Sequence, residues 1–347
     1  MKIISISIAA LVSIGLSFAV ERCSAQKINR TIEIQIFIDA REVVRSGQQW
    51  AETLQKSGAD RVNIKTGKID RPEIDIVQLS SGELIAIKAA VARNRLYLPG
   101  GNFGMTEISG IKQLIQTIRD DGVETGLAEK QAFGLTAAQL VALHDLLAQP
   151  VRFSTKGIPL QKLLEQVQAQ LGHSLQLDQA AIPAVDQASA FQTELRGLSS
   201  GTVLAVVLRP QQLVLQPHRE QGRDVELRIV PSHNADEFWP VGWPSEVTPI
   251  KTEPKLFQRL DLQIQGYPLK TTLDAIEKRM GVQMVFDWYA IEQAGIDLEK
   301  TKVSFEKDNA TYISAINQLL GQARPRLKQE LRLDESGRPF LWVTTLR

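Results

Sequence analysis

Gly197-Leu198-Ser199-Ser200-Gly201 has the G-x-S-x-G spacing of a serine nucleophile set on a sharp strand-to-helix turn. Such a serine needs a histidine to take its proton, an acid to orient that histidine, and N–H donors for the oxyanion. Asp224 and His233 follow the motif closely. The fold that uses this turn needs a large parallel sheet, and the segments around it are too short to supply one. Ser199 or Ser200 is therefore expected to be a helix N-cap, its hydroxyl accepting from a backbone N–H two or three residues on. His144, His173, His218 and His233 show neither H-x-x-H nor H-E-x-x-H spacing, so no metal site is expected. Asp178 and Asp287 could be mistaken for a catalytic carboxylate pair, but each ends a strand-like stretch, where aspartate accepts from the next N–H groups of a turn. Gly100-Gly101-Asn102-Phe103-Gly104 lacks the spacing of a phosphate or dinucleotide loop. No catalytic, cofactor or metal residue is expected, and the chain reads as a non-enzyme.

Binding is the better-supported chemistry. Residues 231–254, PSHNADEFWPVGWPSEVTPIKTEP, hold five prolines and two tryptophans, which bars a long helix. Phe238, Trp239 and Trp243 offer an aromatic platform for a sugar or peptide, with Asp236 or Glu237 assisting. The competing expectation, which is preferred, is that the tryptophans pack between neighbouring modules and fix their angle. Glu220 with Arg223, and Glu335 with Arg338, flank two hairpin turns. Arg223 and Arg338 are thus candidate interaction residues.

These residues must be positioned by small repeated elements. FSTKGIPLQKLLEQVQAQLGHSLQLD (153–178) aligns with LQIQGYPLKTTLDAIEKRMGVQMVFD (262–287) at a constant offset of 109. Gly157, Pro159, Leu160, Leu164, Gly172 and Asp178 meet Gly266, Pro268, Leu269, Leu273, Gly281 and Asp287. Arg209-Pro210, Glu220, Gly222 and Arg223 meet Arg324-Pro325, Glu335, Gly337 and Arg338 at an offset of 115. In the later copy Leu262 and Ile264 alternate as a strand, and Leu269, Leu273, Ile276 and Met280 share one helical face. Met284 and Phe286, then Val303 and Phe305, read as strands; Ile313, Ile316 and Leu320 give a second helix; a hairpin closes the unit. The expected fold class is α+β, multi-domain, with small mixed sheets each covered by two helices and a duplicated β-α-β-β-α-β-β module.

The strand, the G-x-P-L turn, the helix, the glycine and the closing L-x-L-D or V-F-D together resemble the short N-terminal domain shared by secretins and TonB-dependent receptors. The resemblance covers the two copies and rests mostly on core and turn positions. It implies exported interaction modules that pack into rings or contact partner proteins, and it implies no enzyme. The long amphipathic β-barrel that follows in those families is missing, so pore formation and transport do not carry over.

Met1-Lys2, an uncharged apolar run from Ile3 to Val20 and Cys23-Ser24-Ala25 form a signal-peptide layout, with cleavage expected after Ala25. The alternative is an uncleaved anchor, since the run nearly spans a bilayer core. Lipid modification of Cys23 is disfavoured by Glu21 and Arg22, which stand where small apolar residues are wanted. Without Lys2, Glu21 and Arg22 the chain has 38 basic and 38 acidic residues, so the full-length charge of +1 becomes zero. That removes the basic footprint of a nucleic-acid binder. Cys23 is the sole cysteine, which excludes an intrachain disulfide.

Strict alternation over residues 31–38, helices near 48–56 and 107–119, and strands near 61–65, 74–79, 84–92 and 95–98 give a separate α+β domain at 28–124. The expected order is a signal at 1–25, that domain, a linking helix within 125–150, a first module at 151–231, a Pro/Trp-rich linker at 232–258 and a second module at 259–347. The expectation is an exported, cofactor-free interaction or scaffold protein of the periplasm or cell envelope. Its partners would be envelope proteins or further copies of itself, with no membrane span after cleavage. A cell-wall glycan, bound or processed around Trp239 and Trp243, is the alternative.

Overall fold

A computed structural model describes residues 28–39 and 46–346; the expected signal at 1–25, with Cys23 and Ala25, lies outside the described residues. The protein is mixed α+β, and it divides into two compact units that meet between Asp120 and Asp121.

In the first unit, β1 (Arg30–Ile38) lies between β2 (Arg61–Thr66) and β4 (Gly82–Ala92), parallel to both. The alternation of β1 puts Ile32, Ile34, Ile36 and Ile38 on one face, all fully buried. That face is closed by Trp50 and Leu54 of α1 (Gln48–Lys56) and by Ile111, Ile115 and Ile118 of α2 (Ile108–Asp121). β3 (Glu73–Leu79) pairs antiparallel with β4, as does β5 (Arg95–Leu98), followed by β6 (Gly101–Gly104). The parallel β1–α1–β2 path follows from a chain that leaves β1 and must return across a helix.

The second unit opens with α3 (Val123–Leu127) and α4 (Ala137–Leu147). Thr136 caps α4 in a capping box with Gln139, each side chain bonding the other's backbone N–H. This helix, expected as a linker, buries Leu143 and Leu147 in the core of the first module. That module contains α5 (Leu160–Leu171), β7 (Leu175–Leu177), α6 (Ile182–Asp186), α7 (Ser200–Leu208), β8 (Leu213–His218) and β9 (Glu226–Pro231). Its sheet has the order β7-β9-β8, with β7 parallel and β8 antiparallel to β9.

The Pro/Trp segment holds β10 (Trp243–Pro244) and α8 (Pro249–Thr252). The second module follows with β11 (Arg259–Pro268), α9 (Leu269–Met280), β12 (Met284–Phe286), α10 (Trp288–Gln293), β13 (Lys302–Thr311), α11 (Tyr312–Leu320), β14 (Leu327–Leu333) and β15 (Pro339–Thr345). β12 is parallel and β14 antiparallel to β15, the same arrangement as β7, β8 and β9. Asp287 N–H donates to Val343 O at 2.8 Å and Asp178 N–H to Ile229 O at 3.0 Å, closing both parallel pairs alike.

One expectation needs correction. The strands do not form one sheet per module: β11 pairs only with β13, as a separate two-stranded ribbon, although both sheets of the second module share a single core. In the first module no ladder corresponds to the β11–β13 ribbon among the described residues; isolated bridges, Ile158 with Phe191 and Pro150 with Ser199, stand in that region. The cause is local: Thr155 N–H donates to Glu194 Oε1 at 3.1 Å and Leu195 N–H to Thr155 Oγ1 at 2.8 Å. Side chains thereby take backbone groups that a ladder would use.

Candidate interaction site at the junction of the two modules

α7 is buried along its whole length, so its N-terminal N–H groups have no water to bond. Ser199 occupies the N-cap position, yet its hydroxyl makes no cap bond. A carboxylate from the second module does that work. Glu335 Oε2 accepts from Thr202 N–H at 3.1 Å, from Thr202 Oγ1–H at 2.9 Å, and from the Ser199 hydroxyl. Glu335 Oε1 accepts from the Trp239 indole N–H at 2.6 Å. Neighbouring Asp334 accepts from Ser199 N–H at 2.9 Å and also holds its own turn, through Ser336 N–H and Arg338 N–H, each at 2.9 Å. Glu335 is 5% exposed, Trp239 2% and Ser199 fully buried. A carboxylate so enclosed requires this full set of donors, and the helix N-terminus adds a favourable dipole.

The two glycines of G-x-S-x-G make room for this turn. A β-carbon on Gly201 would lie 2.6 Å from Glu335 Oε1 and 2.7 Å from Trp239 Nε1. One on Gly197, where φ is +89°, would overlap the Arg338 guanidinium. The motif is a socket for the β14–β15 turn. Among the described residues the Ser199 hydroxyl is bonded to a carboxylate, not to a histidine.

Further bonds join the same two modules. Arg209 pairs with Asp287 at 2.7 Å, Gln283 Nε2–H donates to Glu194 O at 2.7 Å, and the Trp288 indole N–H donates to Thr193 Oγ1 at 2.8 Å. The Pro/Trp segment is a strap laid across both. Trp239 N–H donates to Leu215 O of β8 at 2.7 Å, and Trp243 pairs with Leu333 on β14. Phe133 stacks against Trp239 with ring centroids 6.1 Å apart, and Trp243 meets it edge-on at 5.5 Å.

Beside the junction, a cleft of about 530 Å³ opens between the modules. Lys156 and Arg196 line it from the first module, and Lys278 and Arg338 from the second. Among the described residues none of these four has a carboxylate within ion-pair distance. Of the acids in the cleft, Asp274 pairs with Lys270 at 2.5 Å, whereas Glu194 accepts from the Ser154 hydroxyl and from the backbone N–H groups of Thr155 and Arg196, neutral donors that help keep its carboxyl ionised. Burial pushes Glu277 up to about 7, aided by Asp274 and only partly opposed by a bond from Met284 N–H and by Lys270. Gln168, its counterpart at the offset of 109, does the same task with a neutral group, accepting from Leu175 N–H at 2.9 Å. A smaller cleft of about 260 Å³ lies beneath Phe238, and its cations are neutralised: Arg209 by Asp287, Arg332 by Glu330 at 2.5 Å.

No family model, curated protein or solved structure matches this chain.

The residues singled out by sequence fall on different sides of this geometry. Trp239 offers no free face, because its ring is buried and its N–H is spent on Glu335, so it leaves the proposed aromatic platform. Trp243 is half-buried, Phe238 is 45% exposed, and Glu237 is occupied by Phe133 N–H. Arg223 is exposed and paired with Glu220 at 2.9 Å; Arg338 is exposed at the rim of the larger cleft. Ser199 takes the N-cap position without the cap bond expected of it. Asp178 and Asp287 accept from Ala180 N–H and Ala290 N–H, the turn role expected of them. The sequence alone does not mark Glu335 as a buried partner of Ser199, nor Glu277, Gln283, Lys156 and Lys278 as cleft residues; the Gln168–Glu277 difference between the copies is the signal that points toward the cleft.

Proposed function

We propose that the chain is an exported, non-enzymatic interaction or scaffold protein of the cell envelope, built on a duplicated module of the secretin and TonB short N-terminal kind. The observation that supports this reading is the buried Ser199–Glu335–Trp239 junction. Residues whose types suggest catalysis or stacking are consumed in fixing one module against the other. What they stabilise is a two-module body with an open cleft along its seam, a shape suited to holding a partner segment. The resemblance points the same way, toward modules that contact other proteins.

Affinity capture from the envelope fraction, with the full chain cross-linked to its neighbours, tests the reading. Recovery of one or a few discrete proteins, or of cross-linked copies of the chain itself, is the expected result. Recovery of glycan fragments without protein would overturn it in favour of a cell-wall ligand.

A further inference from the structure

β11 pairs with β13 and with no other strand among the described residues, so it has a free edge. Which groups point to that edge follows from Ser304 of β13. Its N–H donates to Gln322 Oε1 at 3.0 Å and its carbonyl accepts from Gln322 Nε2–H at 2.9 Å, both away from β11. Opposed residues of an antiparallel pair alternate between exchanging both backbone bonds and exchanging none. Gln265, opposite Ser304, therefore makes no ladder bond to β13, and neither does Gln263, opposite Glu306. The backbone N–H and C=O groups of both turn to the free edge, and both residues are exposed. Register shifts before Leu262 and after Gln265 confine the edge to this stretch.

Beside it, a groove of about 320 Å³ runs between β11 and α9. Leu262, Ile264 and Tyr267 line one wall, and Thr271, Ala275 and Arg279 the other. Tyr267 is 59% exposed, and Thr271 and Ala275 are exposed side chains too short to fill the groove. Among the described residues Arg279 is the charged group on the lining, and it has no carboxylate partner. The first module closes the corresponding place. Gln170, which stands at the Arg279 position, accepts from Arg152 N–H at 3.1 Å and donates to Pro150 O at 2.9 Å. A guanidinium has donors only, so Arg279 cannot accept from the equivalent Asp261 N–H. One copy thus seals its strand against its helix, and the other leaves an edge, an apolar trough and an unpaired cation together.

We infer that this groove binds an extended apolar segment of a partner protein by strand addition along Gln263–Gln265, with an acidic side chain of the segment meeting Arg279. The inference rests on the interaction reading above and gives that reading a surface and a partner chemistry. Strand addition draws affinity from main-chain bonds and selectivity from the pockets that receive alternate side chains. A second copy fits less well. β11 paired with its own copy about Ile264 would set Tyr267 opposite Asp261 and bring no carboxylate to the Arg279 end.

The test is fluorescence anisotropy with the full chain and a labelled peptide of Val-Thr repeats flanked by glutamates, with a lysine-flanked peptide as control. The glutamate-flanked peptide is expected to bind more tightly. Q263P removes an edge N–H outside the β13 ladder, and A275W fills the groove; each should weaken binding at least about tenfold. R279E should weaken the glutamate-flanked peptide about fivefold and strengthen the lysine-flanked one, an exchange that a loss of folding does not produce. K162W, at an exposed site on α5, should leave both affinities unchanged. Urea unfolding accompanies every variant, and R279E decides the matter if Q263P or A275W lowers the midpoint. Equal binding by wild type, Q263P and A275W, no binding of the glutamate-flanked peptide, an unchanged preference in R279E, or wild-type dimers that Q263P dissociates would each overturn the inference. Envelope capture separates this failure from the broader one. Proteins still captured by wild type while the peptide fails leave the interaction reading standing; glycan alone would remove both.

Discussion

The N-termini of α7 and α11 occupy corresponding places and are finished in opposite ways. Thr311 caps α11 with its own side chain, accepting from Ser314 N–H at 3.4 Å. Ser199 stands at the same position on α7, but the third-residue N–H, of Thr202, is taken by Glu335 from the other module. Gly201 leaves the space for that carboxylate, whereas Ile313 fills the equivalent position on α11. The hairpin turns differ to match. Glu335 is buried in the socket, while Glu220 pairs with Arg223 in solvent. One socket and one plug are used, and α11 has no room to accept another turn of this kind. The difference teaches that this socket-and-plug contact is made once in the chain, between the first module and the second.

The largest way to break the comparison is E335A. It strands the Trp239, Thr202 and Ser199 donors in a closed space and is expected to cost about 3–5 kcal/mol in urea unfolding of the full chain. A cost below about 1 kcal/mol would mean that the junction is not maintained in solution. G201A places a methyl group against Glu335 and Trp239 and should cost about 1–3 kcal/mol. Alanine has a higher helix propensity than glycine, so a stabilised G201A would show that the turn does not sit in the socket.

Smaller effects follow from Glu277. Its carboxyl is held near 7 in the fold against an ordinary 4.5, so the folded state keeps a proton that the unfolded chain loses. Stability is therefore greatest below about pH 4.5 as far as this group is concerned, and it declines as pH rises through about 7. E277Q copies Gln168 and should abolish that decline while retaining the bond to Met284 N–H. A wild-type unfolding midpoint that does not fall between about pH 5 and pH 7.5, after matching against E277Q, contradicts the burial argument. The smallest change is E220A. The exposed pair with Arg223 should contribute less than about 0.5 kcal/mol, so a cost like that of E335A would erase the contrast between the two turns.

Much of the fold is legible in the chain because its signals are local. The alternation of Ile32 to Ile38, the i and i+4 spacing within α9, and the cap glycines Gly172 and Gly281 at the ends of α5 and α9 each depend on near neighbours. α7 is different: it is apolar on every side, so its sequence marks burial and not which face meets what. The junction is legible only in part. G-x-S-x-G stands out, but Ser199 and Glu335 are 136 residues apart, and no periodicity connects a socket to its plug. The tryptophans were readable as either platform or packing, since an indole serves both. Only the placement of the Glu335 carboxylate beside the Trp239 N–H decides between them.

The central claim is that Glu335 holds the two modules as one body. Spin labels at Q161C and K300C in a C23S background report it directly, through the distance distribution across the seam measured by double electron–electron resonance. One narrow distribution in the otherwise wild-type chain, broadened by E335A and unchanged by E220A, is the result expected. A broad distribution that E335A leaves unaltered would contradict it.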